Sequence, residues 1–342
     1  MPNWTEILYE LQSTSLSHGS AYDKIRRKYI RQLQLYSKRN IICYYSGWLQ
    51  KPENQFFNSV SVNDIDKNGL MSVINGLNEN VGLDLILHTP GGDIAATESI
   101  VDYLYKKFSG DIRCFIPQMA MSAGTMIACS CREIWMGKQS SLGPVDPQIN
   151  GMAAHGIVEE YEKAKAEFLS NPQTYPILQS ILSQYPLPFI GECKKLISWS
   201  EQLITEWLDR NMLANINNKN QIIDKIKNEL TDHAISLAHG RHLSADKCKS
   251  IGLNVIDLES DQKLQDCVLS VHHSYIHTLS NTPALKIIEN HKNIAFIHQA
   301  NQMQFAIPSM FPNQMGIALH NQHDIPIAPL NAKIDFEDIK KD

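Results

Sequence analysis

The sequence predicts an α/β fold built on a parallel sheet, with helical additions at both ends. Three successive units support this prediction, because in each an apolar run typical of a buried strand ends in a turn at which a helix or a loop begins. The runs cover residues 83–88, 112–117 and 133–137. Strands that alternate with helices in this way form parallel sheets with right-handed crossovers. Ligands of such sheets bind at the carboxyl ends of the strands, so we expect the first two turns to meet in one cleft.

The flanking elements follow from the spacing of apolar residues along the chain. Before the three units, the spacing predicts helices over 5–13 and 20–38, a first strand over 40–46 and a helix over 64–80. After them it predicts helices over 155–170, 189–213, 219–239, 244–251 and 262–279, with a short strand over 254–258. Residues 299–342 are rich in Gln, Asn, Pro and Met and are expected to form an irregular tail.

Length and charge limit the classes of protein to consider. With 342 residues and 43% hydrophobic content, the chain can bury a full core. Its net charge of −5 gives no general attraction to nucleic acid or to anionic membranes. The basic, aromatic segment 26–39 is interpreted as a solvated helix face or an oligomer contact. The first residues do not show the charged and then apolar pattern of a signal peptide, so none is expected. No apolar stretch approaches the length of a membrane span.

The cysteines indicate a reducing compartment. There are seven of them, an odd number, and most lie in apolar stretches, which is typical of reduced core thiols in a cytoplasmic protein. Cys129 and Cys131 form the one close pair and are interpreted as core residues. The histidines His272, His273 and His277 lack an acidic partner in the sequence, so no metal site is expected.

Ser122 has the local setting that acyl-transfer chemistry requires. It follows an apolar run and precedes a helical segment, so its own helix N-terminus offers the Ala123 amide and a favourable dipole. Gly91 and Gly92 supply a second backbone donor, since glycine adopts conformations that bring an amide close to a substrate carbonyl. Taken singly, the glycine pair is explained by a turn and Ser122 by a helix cap. Together, they favour a catalytic site.

Three short motifs carry a resemblance to a known family. They are Thr89-Pro90-Gly91-Gly92-Asp93, Met121-Ser122-Ala123-Gly124-Thr125 and Ser141-Leu142-Gly143-Pro144, with further matches at 44–49, 240–245 and 252–253. In these motifs the chain resembles the ClpP/crotonase-type serine peptidases. The resemblance is closest to the signal peptide peptidase A group and, within it, to the serine dehydrogenase proteinase family.

The resemblance implies an architecture and a mode of action. It implies a ClpP/crotonase-like core of repeated ββα units over 41–280, preceded by a helical extension over 1–40 and followed by a strand and irregular tail over 281–342. It also implies a homo-oligomer that cleaves peptides or unfolded proteins without a cofactor. The sequence has no nucleotide-binding loop of the G-x-x-x-x-G-K type, so any ATP dependence would come from a partner.

The base that activates Ser122 is the open part of this interpretation. The ClpP branch places a histidine about two dozen residues after its serine, where this chain has Asp146 and no histidine. The signal peptide peptidase branch instead uses a lysine some forty to fifty residues after the serine, a window that contains Lys163 and Lys165. The resemblance therefore favours a Ser122–Lys163 dyad over a triad, with Lys165 and Lys138 as alternatives.

Other polar residues near the motifs have supporting roles in this hypothesis. His155, at the start of a predicted helix, is the alternative histidine base, although a histidine at a helix end is more often a surface or capping residue. His88 precedes the glycine pair and is near enough to shape the cleft, but strand geometry fixes its ring and favours a structural role. Asp146 and Gln148 lie in a loop fixed by prolines, which suits orientation of the base or the substrate. Asp146 is equally well explained as the cap of a turn.

Three functions remain as hypotheses. The first is a serine endopeptidase that forms an acyl-enzyme on Ser122. The second is a crotonase-type acyl-CoA enzyme, against which the serine at the turn and the lack of an obvious basic phosphate site both argue. The third is a non-catalytic module that binds peptides and has a chemically inert Ser122.

Overall fold

The computed structural model describes most of the chain between residues 4 and 300. The described residues are 4–14, 20–149, 151–174, 176, 179, 180, 183, 185, 186, 188–231 and 240–300. The predicted irregular tail over 299–342 and the predicted helix segment over 232–239 therefore lie largely or wholly outside the described residues.

The described residues form a mixed sheet of seven strands that is largely parallel. In spatial order the strands are β10 (Val255–Asp257), β5 (Glu133–Met136), β3 (Ile112–Ile116), β2 (Leu83–His88), β1 (Asn40–Ser46), β11 (Ala284–Asn290) and β12 (Ala295–Gln299). The first five run parallel to one another, whereas β11 is antiparallel to β1 and β12 is antiparallel to β11. The predicted α/β fold class with a parallel core is confirmed.

Among the described residues, five short strands form two smaller sheets beside the seven-stranded one. They are β4 (Met119–Ala120), β6 (Ser141–Leu142), β7 (Gln148–Ile149), β8 (Met152–Ala153) and β9 (Leu243–Ser244). Strand β6 pairs with β4 and with β9, and β7 pairs with β8.

The helices cover both faces of the sheet. They are α1 (Trp4–Ser13), α2 (Ala21–Ser37), α3 (Phe57–Val60), α4 (Ile65–Ile74), α5 (Ile94–Phe108), α6 (Ala123–Cys129), α7 (Ala154–Ser170), α8 (Phe189–Trp207), α9 (Lys219–Thr231), α10 (Ala245–Ile251) and α11 (Gln262–Asn281). A π-helical turn (Leu208–Met212) continues α8, and 3₁₀ turns occur at Asn54–Phe56, Glu79–Val81, Pro172–Thr174 and Leu258–Ser260.

The alternation of side chains along the central strands divides the core into two layers. Leu83, Leu85 and Leu87 of β2 point into one layer, which also holds the apolar faces of α4, α5, α6 and α8; we term it the cleft layer. Ile86 of β2 and Phe115 of β3 point the other way, against α1, α2 and α11, which form the back layer. No helix among the described residues is long and apolar enough to cross a membrane.

One predicted element is wrong in its second half. The helix expected over 64–80 ends at Ile74, because Gly76 adopts a φ of 74° and turns the chain out of the helix. A separate 3₁₀ turn then precedes β2. The boundaries proposed at residues 40 and 280 stay a prediction, although β11 lies inside the sheet directly beside β1.

Candidate active site

Ser122 occupies a strained turn between a strand and a helix. It lies between β4 and α6, with φ 50° and ψ −114°, a conformation that a residue with a side chain rarely adopts. Its hydroxyl makes no hydrogen bond that caps α6, although it stands at the cap position. Ser122 is half-buried, so its Oγ is both free of a capping role and open to the cleft described below.

Gly91 lies against the serine turn at a distance that excludes a side chain. A Cβ atom at Gly91 would stand 2.6 Å from the Met121 carbonyl oxygen and 2.7 Å from Ser122 Cβ, and φ at this position is 95°. Glycine is required here both for the close approach and for the left-handed backbone. The Thr89 carbonyl accepts a hydrogen bond of 3.0 Å from the Met121 amide, which ties the two turns together.

Two backbone amides beside Ser122 lack an acceptor within the part of the chain that the structure describes. The Gly91 amide donates to Thr89 Oγ1 at 3.2 Å. Neither the exposed Gly92 amide nor the Ala123 amide has such a partner among the described residues. Of the three predicted oxyanion donors, Gly92 and Ala123 therefore have amides without an acceptor among the described residues. Gly92 lines the cleft, Ala123 is 1% exposed, and Gly91 allows the turns to approach.

Asp146 reaches the same region through a loop fixed on α6. The Thr125 hydroxyl lies 2.9 Å from the Gly143 carbonyl and 3.0 Å from the Gly143 amide, so the loop after β6 is held against the helix that follows Ser122. Gly143 also packs against Met121. Three residues further on, Asp146 is 1% exposed and lines the cleft that contains Ser122.

The cleft is large enough for a stretch of peptide. Its volume is about 1030 Å³, and its lining includes the apolar side chains of Phe57, Ile65 and Trp199. The ionisable side chains among its described lining residues are Asp64, Asp93, Asp146 and His298, with no lysine or arginine. The cleft therefore combines apolar surface with acidic groups. Its described lining residues include no lysine or arginine that could bind a phosphate group.

The predicted lysine bases are not among the described residues that line this cleft. The Lys163 side chain is 68% exposed, and its Nζ lies 2.9 Å from Glu160 Oε1, which raises the pKa of the lysine. A lysine base needs a lowered pKa, so this position does not support Lys163 as the base. Lys165 is exposed beside Glu162, and Lys138 is exposed near β5.

The predicted histidines lie apart from the cleft lining as well. His155 is half-buried in the first turn of α7. His88 is fully buried in the back layer, where its ring lies 4.3 Å from that of Trp48 and 5.5 Å from that of Tyr45. Burial lowers the pKa of His88 to about 3, so this ring is neutral at physiological pH.

A buried ion pair behind the cleft was missed in the sequence. Lys286 of β11 and Asp66 of α4 are each about 1% exposed, with Nζ 2.8 Å from Asp66 Oδ1. The signal that could have indicated it is a lysine inside the apolar strand 284–290. Its partner is 220 residues away in the sequence, and nothing local identifies it.

Comparisons with known proteins place the chain beside proteolytic enzymes. The family model described as ClpP-like SDH-type serine proteinase matches residues 7–257. An uncharacterized protein of Methanocaldococcus jannaschii is 31% identical over 192 residues, which cover 56% of this chain and 57% of that protein. A second uncharacterized protein of that organism is 36% identical over 102 residues, 30% of this chain and 35% of the relative. The chain thus spans about half the length of the first relative and about a third of the second.

Proposed function

The chain belongs to the family of ClpP-like SDH-type serine proteinases, and on that premise we propose that it hydrolyses peptide bonds through an acyl-enzyme on Ser122. The observation that carries this proposal is the uncapped Ser122 hydroxyl, beside the Gly92 and Ala123 amides that have no acceptor among the described residues, at the edge of an open cleft. A nucleophile flanked by two backbone donors is the arrangement that acyl transfer requires.

The two amides would stabilise the charge that develops on the carbonyl oxygen. As the Ser122 Oγ to carbonyl carbon bond forms, the carbonyl oxygen becomes negative, and the Gly92 and Ala123 N–H groups donate to it. Ala123 is the first residue of α6, so the dipole of this short helix adds to the effect. The fixed position of both turns means that little reorganisation accompanies the reaction.

Asp146 is the residue that we assign to proton transfer. Among the ionisable side chains of the described cleft lining it is the fully buried one, whereas His298 is half-buried, Asp64 and Asp93 are exposed, and Asp93 already caps α5. The Asp146 carboxylate takes the proton of Ser122 Oγ as the serine attacks, and returns it to the amine that leaves when the C–N bond breaks. Water then gives a proton to the same carboxylate as its oxygen attacks the carbonyl carbon of the ester. The bond between that carbon and Ser122 Oγ breaks, and the carboxylate returns the proton to Oγ, which frees Ser122.

The competing functions receive less support from the cleft. A crotonase-type enzyme binds the phosphates of coenzyme A. The described cleft residues include three aspartates, which repel phosphate, and they include no lysine or arginine. A peptide suits the cleft better, since its apolar side chains and its cationic groups both find partners there. We also propose that the chain acts as a homo-oligomer, which light scattering coupled to size-exclusion chromatography will test.

The decisive experiment is covalent labelling with a fluorophosphonate, read by intact mass. We expect one label on the wild type and none on Ser122→Ala. Ser59→Ala is the matched control, because Ser59 also lines the cleft but does not adjoin the two amides; it should label like the wild type. If the wild type stays unlabelled and does not cleave fluorescein-labelled casein between about pH 4 and pH 9, Ser122 is inert and the chain is a binding module.

The role of Asp146 has its own test. Asp146→Asn should lower the labelling rate by at least about 100-fold, since general-base contributions are of this order. A variant that keeps more than about a tenth of the wild-type rate would contradict the assignment of Asp146 as the proton acceptor.

A further inference from the structure

The buried ammonium of Lys286 does more than join two elements. Its Nζ lies 2.8 Å and 2.9 Å from the two oxygens of Asp66, and it also donates to the Ser61 carbonyl at 2.6 Å. Burial lowers the pKa of Lys286, so the charge is kept there at a cost that Asp66 offsets. Buried ion pairs are often no more stabilising than apolar residues of the same size, so stability alone does not explain why a charged pair occupies this position.

Asp66 extends this contact into a network. Its Oδ2 accepts a hydrogen bond of 2.7 Å from the Tyr44 hydroxyl of β1 and one of 3.0 Å from the Asn63 amide. One residue before Ser61, the Val60 carbonyl accepts from Ser46 Oγ at 2.6 Å. The backbone of 60–63 is therefore held to the sheet by three side chains, two of which belong to the Lys286–Asp66 pair.

The same short segment holds the glycine turn of the candidate active site. The Val62 amide donates to the Gly91 carbonyl at 2.7 Å, and the Val62 carbonyl accepts from the Asp93 amide at 2.9 Å. These two bonds lie on either side of Gly92. A Cβ at Gly92 would stand 2.3 Å from the Val62 carbonyl oxygen, which shows how closely the two backbones pack.

We propose that Lys286, with Asp66, is a positioning residue for the reaction: the pair fixes Val62, and Val62 fixes the direction of the Gly92 amide. This inference rests on the proposed function, because it needs Gly92 as an oxyanion donor. A donor must stay within about 0.5 Å of its productive position, and the loss of one such donor lowers kcat by about 100- to 1,000-fold. If the glycine turn is held less firmly, the Gly92 amide is correctly placed only part of the time, and kcat should fall by part of that factor.

The test uses the full chain and the double variant Lys286→Met/Asp66→Asn, which removes both charges and leaves no unpaired ion. We expect kcat for a fluorogenic peptide to fall by about 10- to 100-fold, with KM changed by less than about threefold. The inhibition constant of a peptide boronate, which forms a tetrahedral adduct at the serine, should weaken by the same factor as kcat. Assays run well below the melting temperature of each variant.

A matched control separates positioning from general destabilisation. Arg26 and Glu289 form a second fully buried ion pair, also anchored on β11 but in the back layer. The double variant Arg26→Met/Glu289→Gln should lower the melting temperature without changing kcat by more than about twofold. Tyr44→Phe removes one hydrogen bond to Asp66 and no charge, so it should lower kcat by a smaller factor. Melting curves check that this variant stays folded under the assay conditions.

The outcomes distinguish this inference from the proposed function. If the wild type cleaves the peptide at Ser122 and the folded Lys286→Met/Asp66→Asn variant keeps the wild-type kcat and boronate affinity, the pair is structural only and the inference is wrong. An equal loss of kcat in the Arg26→Met/Glu289→Gln control would overturn it as well. If the wild type neither labels nor cleaves, the proposed function fails first, and the positioning role fails with it.

Discussion

The two buried ion pairs on β11 belong to the same class of interaction but serve different regions. Glu289 accepts from Arg26 at 3.0 Å, from Arg27 at 2.9 Å and from Tyr275 at 3.1 Å, so in the back layer it joins α2 and α11 to the sheet. Lys286, three residues earlier on the opposite face, donates to a loop carbonyl and through that loop reaches the glycine turn.

The difference teaches that the energetic cost of a buried charge does not identify its role. Both pairs are nearly inaccessible to solvent, and breaking either by removing one partner should destabilise the fold. The two pairs differ in the segments to which their hydrogen bonds connect the sheet. The back-layer pair is hydrogen-bonded to residues of regular helices. The cleft-layer pair is hydrogen-bonded to the 61–63 backbone, which contacts the glycine turn of the candidate site.

The sharpest test of this contrast, and the largest expected effect, is Gly91→Ala. The added methyl group would meet the Met121 carbonyl and Ser122 at under 3 Å, so the serine turn must shift. We expect kcat/KM for a fluorogenic peptide to fall by at least about 100-fold. Gly76→Ala is the matched control, because Gly76 also has a positive φ but has open space around it. It should cost about 1 to 2 kcal/mol of stability and leave kcat/KM unchanged.

In the back layer, Glu289→Gln should act on stability alone. The substitution removes the Glu289 carboxylate from the buried Arg26 guanidinium, which keeps the Asp23 carboxylate at 2.7 Å. We therefore expect a loss at the lower end of the about 3 to 5 kcal/mol that a broken buried pair typically costs. Urea unfolding followed by circular dichroism measures the loss, and kcat of the folded fraction should stay within about twofold of the wild type. A large fall in kcat at full folding would erase the distinction between the two layers.

The histidines of the back layer predict a dependence of stability on pH. His88 has a native pKa of about 3, and burial also lowers the pKa of His272. Because the unfolded chain binds protons on these rings below about pH 6.5 and the native chain does not, stability is lost as pH falls from 6.5 toward 3. For His88 alone we expect a loss of about 2 kcal/mol between pH 7 and pH 5.

His88→Phe checks this expectation, since phenylalanine keeps an aromatic ring beside Trp48 and Tyr45 and cannot gain a proton. The stability of the variant, measured by urea unfolding at several pH values, should fall less steeply on acidification than that of the wild type. Trp48→Phe is the control for altered packing and should keep the wild-type slope. Equal slopes for His88→Phe and the wild type would contradict the assignment.

The smallest expected effect is that of Lys163→Ala. The side chain is exposed and paired with Glu160 alone among the salt bridges of the described residues, so its removal should leave both stability and the rate of fluorophosphonate labelling unchanged. A loss of labelling would restore the lysine dyad and would mean that α7 reaches the serine in the active protein.

Much of the site could be predicted because its signals are local. The turn at Gly91 and Gly92 and the strand–helix junction at Ser122 follow from short apolar runs and from residues with special backbone freedom, and β1 begins and ends where the sequence indicated. The length of α4 was overestimated, although Gly76 carried the signal for its end.

The bases and the ion pairs could not be predicted in the same way. Helical spacing shows which residues share a face of α7, but it does not show whether that face is buried. Of the α7 residues, Ala154 and Ile157 are buried, both near its start, and Lys163 lies well beyond them.

The sequence by itself determined the order of most strands and helices, the turn at Gly91 and Gly92, and the strand–helix turn that holds Ser122, since each depends on interactions within a few residues. Only the tertiary structure decided that Asp146 lies in the cleft with Ser122 and that Lys286 contacts Asp66. It also decided that Lys163 is not among the described residues that line the cleft. The reason is physical: burial and electrostatic partners are properties of chain segments brought together by the folded core, and their pairing across 220 residues leaves no periodic signal in the sequence.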